Sequence, residues 1–136
     1  MEANRLARIN TIARYTLAFV FIYHGLVPKI LWLGPTEIAL AAAHNIDGTL
    51  VSPIIGVFEI LFGLSIAFFR RSLVPIYIAI VLLIILLVDV ALVMPNLLAE
   101  AFNPVTINIA TIVIAHIVCI THEFSINDDK QISKVK

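Results

Sequence analysis

Charged residues are scarce in this 136-residue chain, and that shortage decides its class. Only 13% are Asp, Glu, Lys or Arg, whereas soluble domains carry about a quarter. A water-facing shell cannot be built from so few charges. Nine basic residues balance nine acidic ones, so nothing in the formal charge of zero indicates nucleic-acid binding. Cys119 is the one cysteine, which excludes a disulfide within the chain.

Apolar residues are abundant at 61% of the chain, and their grouping predicts membrane spans. Residues 72–94 form one near-continuous apolar stretch, and a bilayer-spanning helix needs about 20 such residues. That stretch is too uniformly apolar for a core helix of a soluble protein. We therefore predict a single membrane domain over 1–136, with four spans followed by a polar tail: about 11–33, 53–69, 72–94 and 104–121, then 122–136.

Proline positions predict where these spans begin and end. Ser52–Pro53 and Asn103–Pro104 each match an N-cap followed by proline at the first helical position. Pro75 lies in the first turn of the third span, and Pro95 follows that span.

The segment between spans one and two, residues 34–48, is rich in alanine. Thr36 is placed to cap a short helix that ends near Asn45. The fold predicted is therefore all-α: an integral-membrane four-helix bundle with a short amphipathic outer helix between spans one and two.

Basic residues predict how the spans are oriented, because cytoplasmic segments carry an excess of Lys and Arg. The sequence predicts a multi-pass protein of the bacterial inner membrane with both termini cytoplasmic. All basic residues except Lys29 fall on one side of this topology: Arg5, Arg8, Arg14, Arg70, Arg71, Lys130, Lys134 and Lys136.

Several polar or ionisable side chains lie inside the predicted spans, where a charge at mid-bilayer costs roughly 2.5–3.5 kcal/mol. Such residues are rare there and are candidates for function. At 1.5 Å per residue, four of them from four different spans agree in depth within about 8 Å, in the outer half of the bilayer. We therefore predict one shared ligand-binding site, with a lysine at similar depth beside the four: His24, Glu59, Asp89, Asn108 and Lys29.

Each of these groups also has a structural interpretation. Lys29 fits a side chain that snorkels to the outer headgroups, and Asp89 fits a cap on an outer loop. His116 and Cys119 lie deeper in span four and fit packing roles.

Glu59 is the hardest of them to explain structurally. Ser52, Gly56 and Gly63 share its helical stripe, and small residues at this spacing let membrane helices approach closely. The stripe indicates that Glu59 points into the protein rather than at lipid.

The stretch "YHGLVPK", residues 23–29, predicts a helix break at membrane depth. Pro28 has no N–H, so the carbonyl of His24 loses its helical partner. Gly25 allows another backbone or a ligand to come close. Irregular backbone persists at this depth only beside a polar pocket or buried in protein.

Three stretches resemble the signature of the DoxX-like family of small bacterial membrane proteins: "YHGLVPK" followed by Glu37, "FEILFG" at 58–63, and "FNPVTIN" at 102–108. The resemblance covers about residues 11–120. It implies a four-helix membrane bundle. It also implies a superfamily that includes the small membrane subunit of a thiosulfate:quinone oxidoreductase and modules linked to redox homeostasis. Similar modules occur fused to nucleotide-binding epimerase-like domains. This sequence contains no G-x-G-x-x-G, so hydride chemistry of its own is not expected.

The resemblance and the polar residues together favour a redox-linked module that binds a quinone or a similar small molecule. In this hypothesis His24 or Asn108 bonds a quinone carbonyl, and Glu59 or Asp89 handles the proton. This hypothesis requires that the site open laterally to the bilayer, so that the quinone ring can enter. Whether the chain is an enzyme stays open; if it is, it is part of a quinone-linked oxidoreductase.

Two other hypotheses stay open beside it. His24, Glu59 and Asp89 form a set suited to iron, manganese or zinc, and His24 with His116 suits haem. Alternatively, the chain is a non-catalytic assembly or interaction subunit of a membrane complex. The lipid bilayer is the expected partner in each case, with a membrane or redox partner protein, or further copies of the chain, beside it.

Overall fold

The computed structural model describes the backbone of residues 2–135 and the side chains of residues 2–126. All regular structure in this part of the chain is helical, which confirms the all-α prediction. The elements are α1 (Glu2–Leu26), a π-helical turn (Val27–Leu31), α2 (Pro35–Ala43), α3 (Gly48–Phe68), α4 (Val74–Val93), a 3-10 turn (Pro95–Ala99) and α5 (Pro104–Val135).

Three helices of the described residues are long and apolar enough to cross a membrane: α3, α4, and the part of α5 over Pro104–Ile126. A fourth crossing is present if α1 and its π-turn count with α2 as one broken span, bent by 92°. Helix α5 continues past the predicted end of span four at residue 121. The side chains of the predicted polar tail beyond residue 126 lie outside the described residues.

Most of the proline signals mark helix ends as predicted. Pro75 lies at the start of α4, and Pro95 follows its end. The side chain of Asn103 caps α5 by accepting the N–H of Thr106 at 3.0 Å.

The predicted cap at Ser52–Pro53 is wrong, because α3 begins at Gly48. Asp47 caps that helix instead and accepts the N–H of Thr49 at 2.9 Å. An aspartate in this position supplies the same acceptor one turn earlier. Proline then removes one backbone hydrogen bond inside α3 without ending it.

The short helix between the first two spans is present as α2. Its N-cap is Gly34, with Pro35 following, so the prediction that Thr36 caps it is wrong. Asn45, at φ 58°, ends the helix, and the N–H of Ile46 returns to the carbonyl of Ala41 at 3.0 Å. This is a Schellman motif, in which asparagine takes the left-handed position that glycine usually holds.

Helix α1 is central, with α3 packed on one side and α5 on the other. Helix α4 packs against α5, whereas α3 and α4 hardly touch although a tight turn joins them. The four long helices share one core, in which Leu17, Ile66, Ile76 and Val118 are fully buried. The helices follow one another in the order α3–α1–α5–α4, so the arrangement is open between α3 and α4. The predicted four-helix bundle, in the sense of a closed bundle, is therefore not confirmed.

Small residues set the contact between α1 and α3. A methyl group at Gly25 would collide with the carbonyl oxygen of Gly56 and lie 2.9 Å from the Cβ of Glu59. At Gly63 it would lie 2.8 Å from the carbonyl oxygen of Ala18. The small-residue stripe of α3 therefore faces α1, and this close crossing brings Glu59 beside the end of α1.

Polar groups are also buried at the opposite end of the molecule, where α3 turns into α4 beside the middle of α1. The guanidinium of Arg14, 1% exposed, donates to the carbonyl oxygens of Ile66, Phe69 and Ser72 at 3.2–3.3 Å. We call this region the arginine end. The carbonyl of Ile66 lies in the last turn of α3, where helical partners run out, and that of Phe69 also accepts the N–H of Ser72 at 3.1 Å.

Candidate functional site

The candidate site begins where α1 changes its helical type. After Leu26 the chain forms the π-turn, closed by the N–H of Trp32 on the carbonyl of Val27 at 2.8 Å. Pro28 lies in this turn, and its missing N–H removes one α-helical bond. Single π-turns of this kind are frequent at functional sites. The turn presents Lys29 toward α2 and α3.

Lys29 lies at the centre of a charge cluster. Its ammonium group lies 3.2 Å from a carboxylate oxygen of Glu37 on α2 and 3.2 Å from one of Glu59 on α3. The residue is 8% exposed, so the interpretation that it snorkels to the headgroups is wrong. Two carboxylates around one buried ammonium offset its desolvation and join three elements of the fold.

A cavity of about 260 Å³ surrounds this cluster, and we call it the polar cavity. Four of the five predicted ligand-binding residues line it: His24, Lys29, Glu59 and Asn108. Helix α2 covers it through Thr36, Glu37 and Leu40, and the connection between α4 and α5 adds Glu100. The remaining wall is largely apolar, as in most small-molecule sites.

Two buried polar atoms of residues lining the polar cavity have no hydrogen-bond partner within the described part of the chain. They are Oε2 of Glu59 and Nδ2 of Asn108. Asn108 is only 5% exposed, and an unmatched buried amide costs about 1–3 kcal/mol. Both atoms are themselves buried, so a ligand in the polar cavity reaches this acceptor and this donor when the two side chains turn toward it.

Asp89 is the predicted site residue that does not line the polar cavity. Its carboxylate lies 3.1 Å from Nε2 of His44, the residue that follows α2. The alternative interpretation, in which Asp89 caps an outer loop, agrees with this contact. Asp89 and Glu59 both line a second recess, between α3 and α4.

The metal and haem hypotheses require side chains that the structure keeps apart. Among the residues it describes, no three His, Cys, Asp or Glu side chains are grouped to hold a metal ion. The candidate set of His24, Glu59 and Asp89 is therefore not assembled. His116, the second haem candidate, is exposed on α5 and does not line the polar cavity.

Two acidic residues of the polar cavity were missing from the predicted site. Glu37 appeared only within a sequence motif, because nothing in the sequence shows that α2 folds back over Lys29. Glu100 follows the 3-10 turn, where helical periodicity gives no signal. With Glu59 they supply three carboxylates against the ammonium of Lys29.

A family model described as the DoxX-like family matches residues 18–116. Every residue that lines the polar cavity lies within this range. The chain matches none of the curated proteins and none of the solved structures with which it was compared.

Proposed function

The chain belongs to the DoxX-like family, and from this premise we propose that it is a small inner-membrane, redox-linked module that binds a quinone in the polar cavity. A quinone accepts electrons and protons together, and a redox partner protein supplies the electrons in this proposal. The chain's own residues hold the ring and pass a proton.

The unmatched atoms of Glu59 and Asn108 are the observation that supports this proposal. Both residues line the same cavity, Glu59 from α3 and Asn108 from α5. The amide of Asn108 donates to a carbonyl of the quinone or to a hydroxyl oxygen of the quinol. Only the quinol has a hydroxyl that donates to the carboxylate of Glu59, so the reduced form satisfies both groups and the oxidised form satisfies Asn108 alone.

Lys29 fixes the position of Glu59 in this arrangement. The ammonium group binds one oxygen of the carboxylate at 3.2 Å and leaves the other without a partner. A carboxylate held in this way keeps a fixed position at the cavity wall and exchanges a proton through its second oxygen. His24 lines the same wall and offers a second group for the quinone carbonyl.

Direct binding tests the proposal. The protein is placed in nanodiscs, and the affinities for a benzoquinone without a hydrocarbon tail and, in the absence of oxygen, for its quinol are measured by calorimetry. We expect saturable binding of both forms, weakened about three- to tenfold for both in Asn108→Leu by the loss of the amide donor, and for the quinol alone in Glu59→Gln, because a neutral amide oxygen is a weaker acceptor than a carboxylate. Glu123→Gln is the control, because Glu123 is exposed and does not line the polar cavity.

Two results would refute quinone binding at this site. Either the wild-type protein binds neither form, or Asn108→Leu and Glu59→Gln bind the quinol as tightly as Glu123→Gln does. The assembly-subunit hypothesis then replaces the redox module, since it assigns the polar cluster to internal stability alone.

The proposed orientation, with both termini cytoplasmic, has its own test. Single cysteines are introduced at Glu2 and at the exposed Ala42 of α2 in a Cys119→Ser background, and intact cells are labelled with an impermeant maleimide. We expect labelling at position 42 and none at position 2. The reverse pattern would place the polar cavity near the cytoplasmic face.

A further inference from the structure

A second recess opens beside the polar cavity, between α3 and α4. Its volume is about 550 Å³, and we call it the α3–α4 groove. Four side chains line both spaces: Phe21, Glu59, Leu83 and Leu86. The polar cavity and the groove are therefore neighbours, with these side chains as their common wall.

We propose that the α3–α4 groove holds the hydrocarbon chain of the molecule whose head lies in the polar cavity. This inference rests on the proposed function and narrows its ligand class to an uncharged amphiphile, with a small polar ring and an apolar chain. Head and chain meet at Glu59, the polar residue of the common wall.

The charge of the groove argues against an anionic lipid as the occupant. Its two ionisable residues are both acidic, Glu59 and Asp89. Basic partners from outside the groove contact each of them, Lys29 at 3.2 Å and His44 at 3.1 Å. No basic residue lines the groove, and in the polar cavity the ammonium of Lys29 is already paired with Glu37 and Glu59. A phosphate headgroup in either space would therefore face carboxylates without an unpaired lysine or arginine.

The side chains of the groove also argue against a transmembrane helix as the occupant. Helices associate closely in membranes through small residues, and the small residues of α3 face α1 instead. Large side chains line the groove, including Phe58 and Ile85, each more than half exposed. A flexible chain fits between such side chains, whereas a rigid helix is held away by them.

Adjacent residues of α4 provide a matched test. Ile85 lines the groove, and Ile84 does not, although both are exposed apolar residues. Ile85→Trp fills the groove, whereas Ile84→Trp adds the same ring outside it. Two quinones with the same ring, one with an isoprenoid chain and one without, are titrated into nanodiscs that contain each variant.

We expect Ile85→Trp to weaken binding of the isoprenoid quinone by about tenfold or more, because overfilling a packed space carries a steric cost. The quinone without a chain should bind Ile85→Trp and Ile84→Trp equally, which also shows that both variants are folded. If Ile85→Trp affects both quinones alike, or neither, the chain does not lie in the groove. If the wild-type protein binds neither quinone, the proposed function itself fails.

Discussion

The predicted first span buries two basic side chains, Arg14 in the middle of α1 and Lys29 in the π-turn after it, and the two are bound in different ways. Arg14 donates to three backbone carbonyls at the arginine end. Lys29 pairs with two carboxylates at the wall of a cavity, and one oxygen of Glu59 remains without a described partner. A buried charge within a predicted span is usually a sign of function.

The difference shows that burial of a charge does not by itself indicate a ligand site. Arg14 binds carbonyls where α3 ends and the chain turns, so its role is explained by the fold. Its Nε also has no partner in the described part of the chain, but Arg14 lines neither the polar cavity nor the α3–α4 groove. The unmatched groups near Lys29 belong to residues that line the polar cavity. We infer that open space beside unmatched groups, rather than charge or an unmatched group alone, separates the candidate site from the structural one.

Removal of the structural charge should have the largest effect. Arg14→Met removes the side-chain donor to three carbonyls at the arginine end, of which that of Phe69 keeps the N–H of Ser72, and we expect a loss of about 3 kcal/mol or more in unfolding free energy. Unfolding in detergent, followed by circular dichroism, measures it. Quinone affinity of the folded fraction should stay unchanged.

Arg5→Met is the control for this variant, because Arg5 is exposed on the same helix. Equal stability of the two variants would contradict the role given to Arg14. Loss of quinone binding in folded Arg14→Met would remove the distinction between the two ends.

The close crossing of α1 and α3 should give the next largest effect. In Gly25→Ser the new Cβ meets the carbonyl oxygen of Gly56, which is rigid backbone. We expect a loss of about 2 kcal/mol, typical of overpacking. Gly34→Ser is the matched control, because its nearest neighbours lie 3.9 Å away and serine is a good N-cap. Similar unfolding curves for both variants would show that α1 and α3 do not pack so closely.

The charge cluster allows stability and binding to be separated. Lys29→Met leaves Glu37 and Glu59 facing each other, and we expect a loss of about 1–2 kcal/mol, moderated by the partial exposure of both carboxylates. Adding Glu59→Leu should restore part of that stability, since it removes the repulsion between the two carboxylates and leaves only Glu37 unpaired. Quinol binding should remain weakened in the double variant, because the acceptor of Glu59 is absent. A double variant that binds quinol normally would make Glu59 a purely structural residue.

The sequence predicted more of the helices than of the contacts between them. Apolar runs and prolines were sufficient for α4 and for the start of α5, because Pro75 and Asn103 act within their own turn. The start of α3 was missed because Ser52–Pro53 and Asp47 both match a cap, and only the folded chain distinguishes them.

The candidate site was predicted in part for the same reason. Depth along each helix indicated that His24, Glu59 and Asn108 lie at one level. It could not show that Asp89 turns to His44, a contact between residues 45 positions apart. The sequence explained Arg14 only by the excess of basic residues at cytoplasmic ends. Its burial could not be predicted, because the carbonyls that it binds belong to the α3–α4 turn, which is distant in sequence.

The smallest effect is expected from a polar residue that belongs to neither buried cluster. Asp47 caps α3 from an exposed position, where hydrogen bonds from the side chain and backbone of Thr49 lower the pKa of its carboxyl. Because that pKa is lower in the folded state, its charge stabilises the fold above the unfolded pKa of about 3.9. This stabilisation is lost as the pH falls through the folded pKa.

Asp47→Asn keeps an N-cap acceptor and removes the charge. We therefore expect its melting temperature to lie slightly below that of the wild type at pH 7, and the difference to disappear toward pH 3. A difference that stays constant with pH would assign the cap to hydrogen bonding alone, and one as large as that of Arg14→Met would mean that exposed polar groups stabilise this protein as much as buried ones.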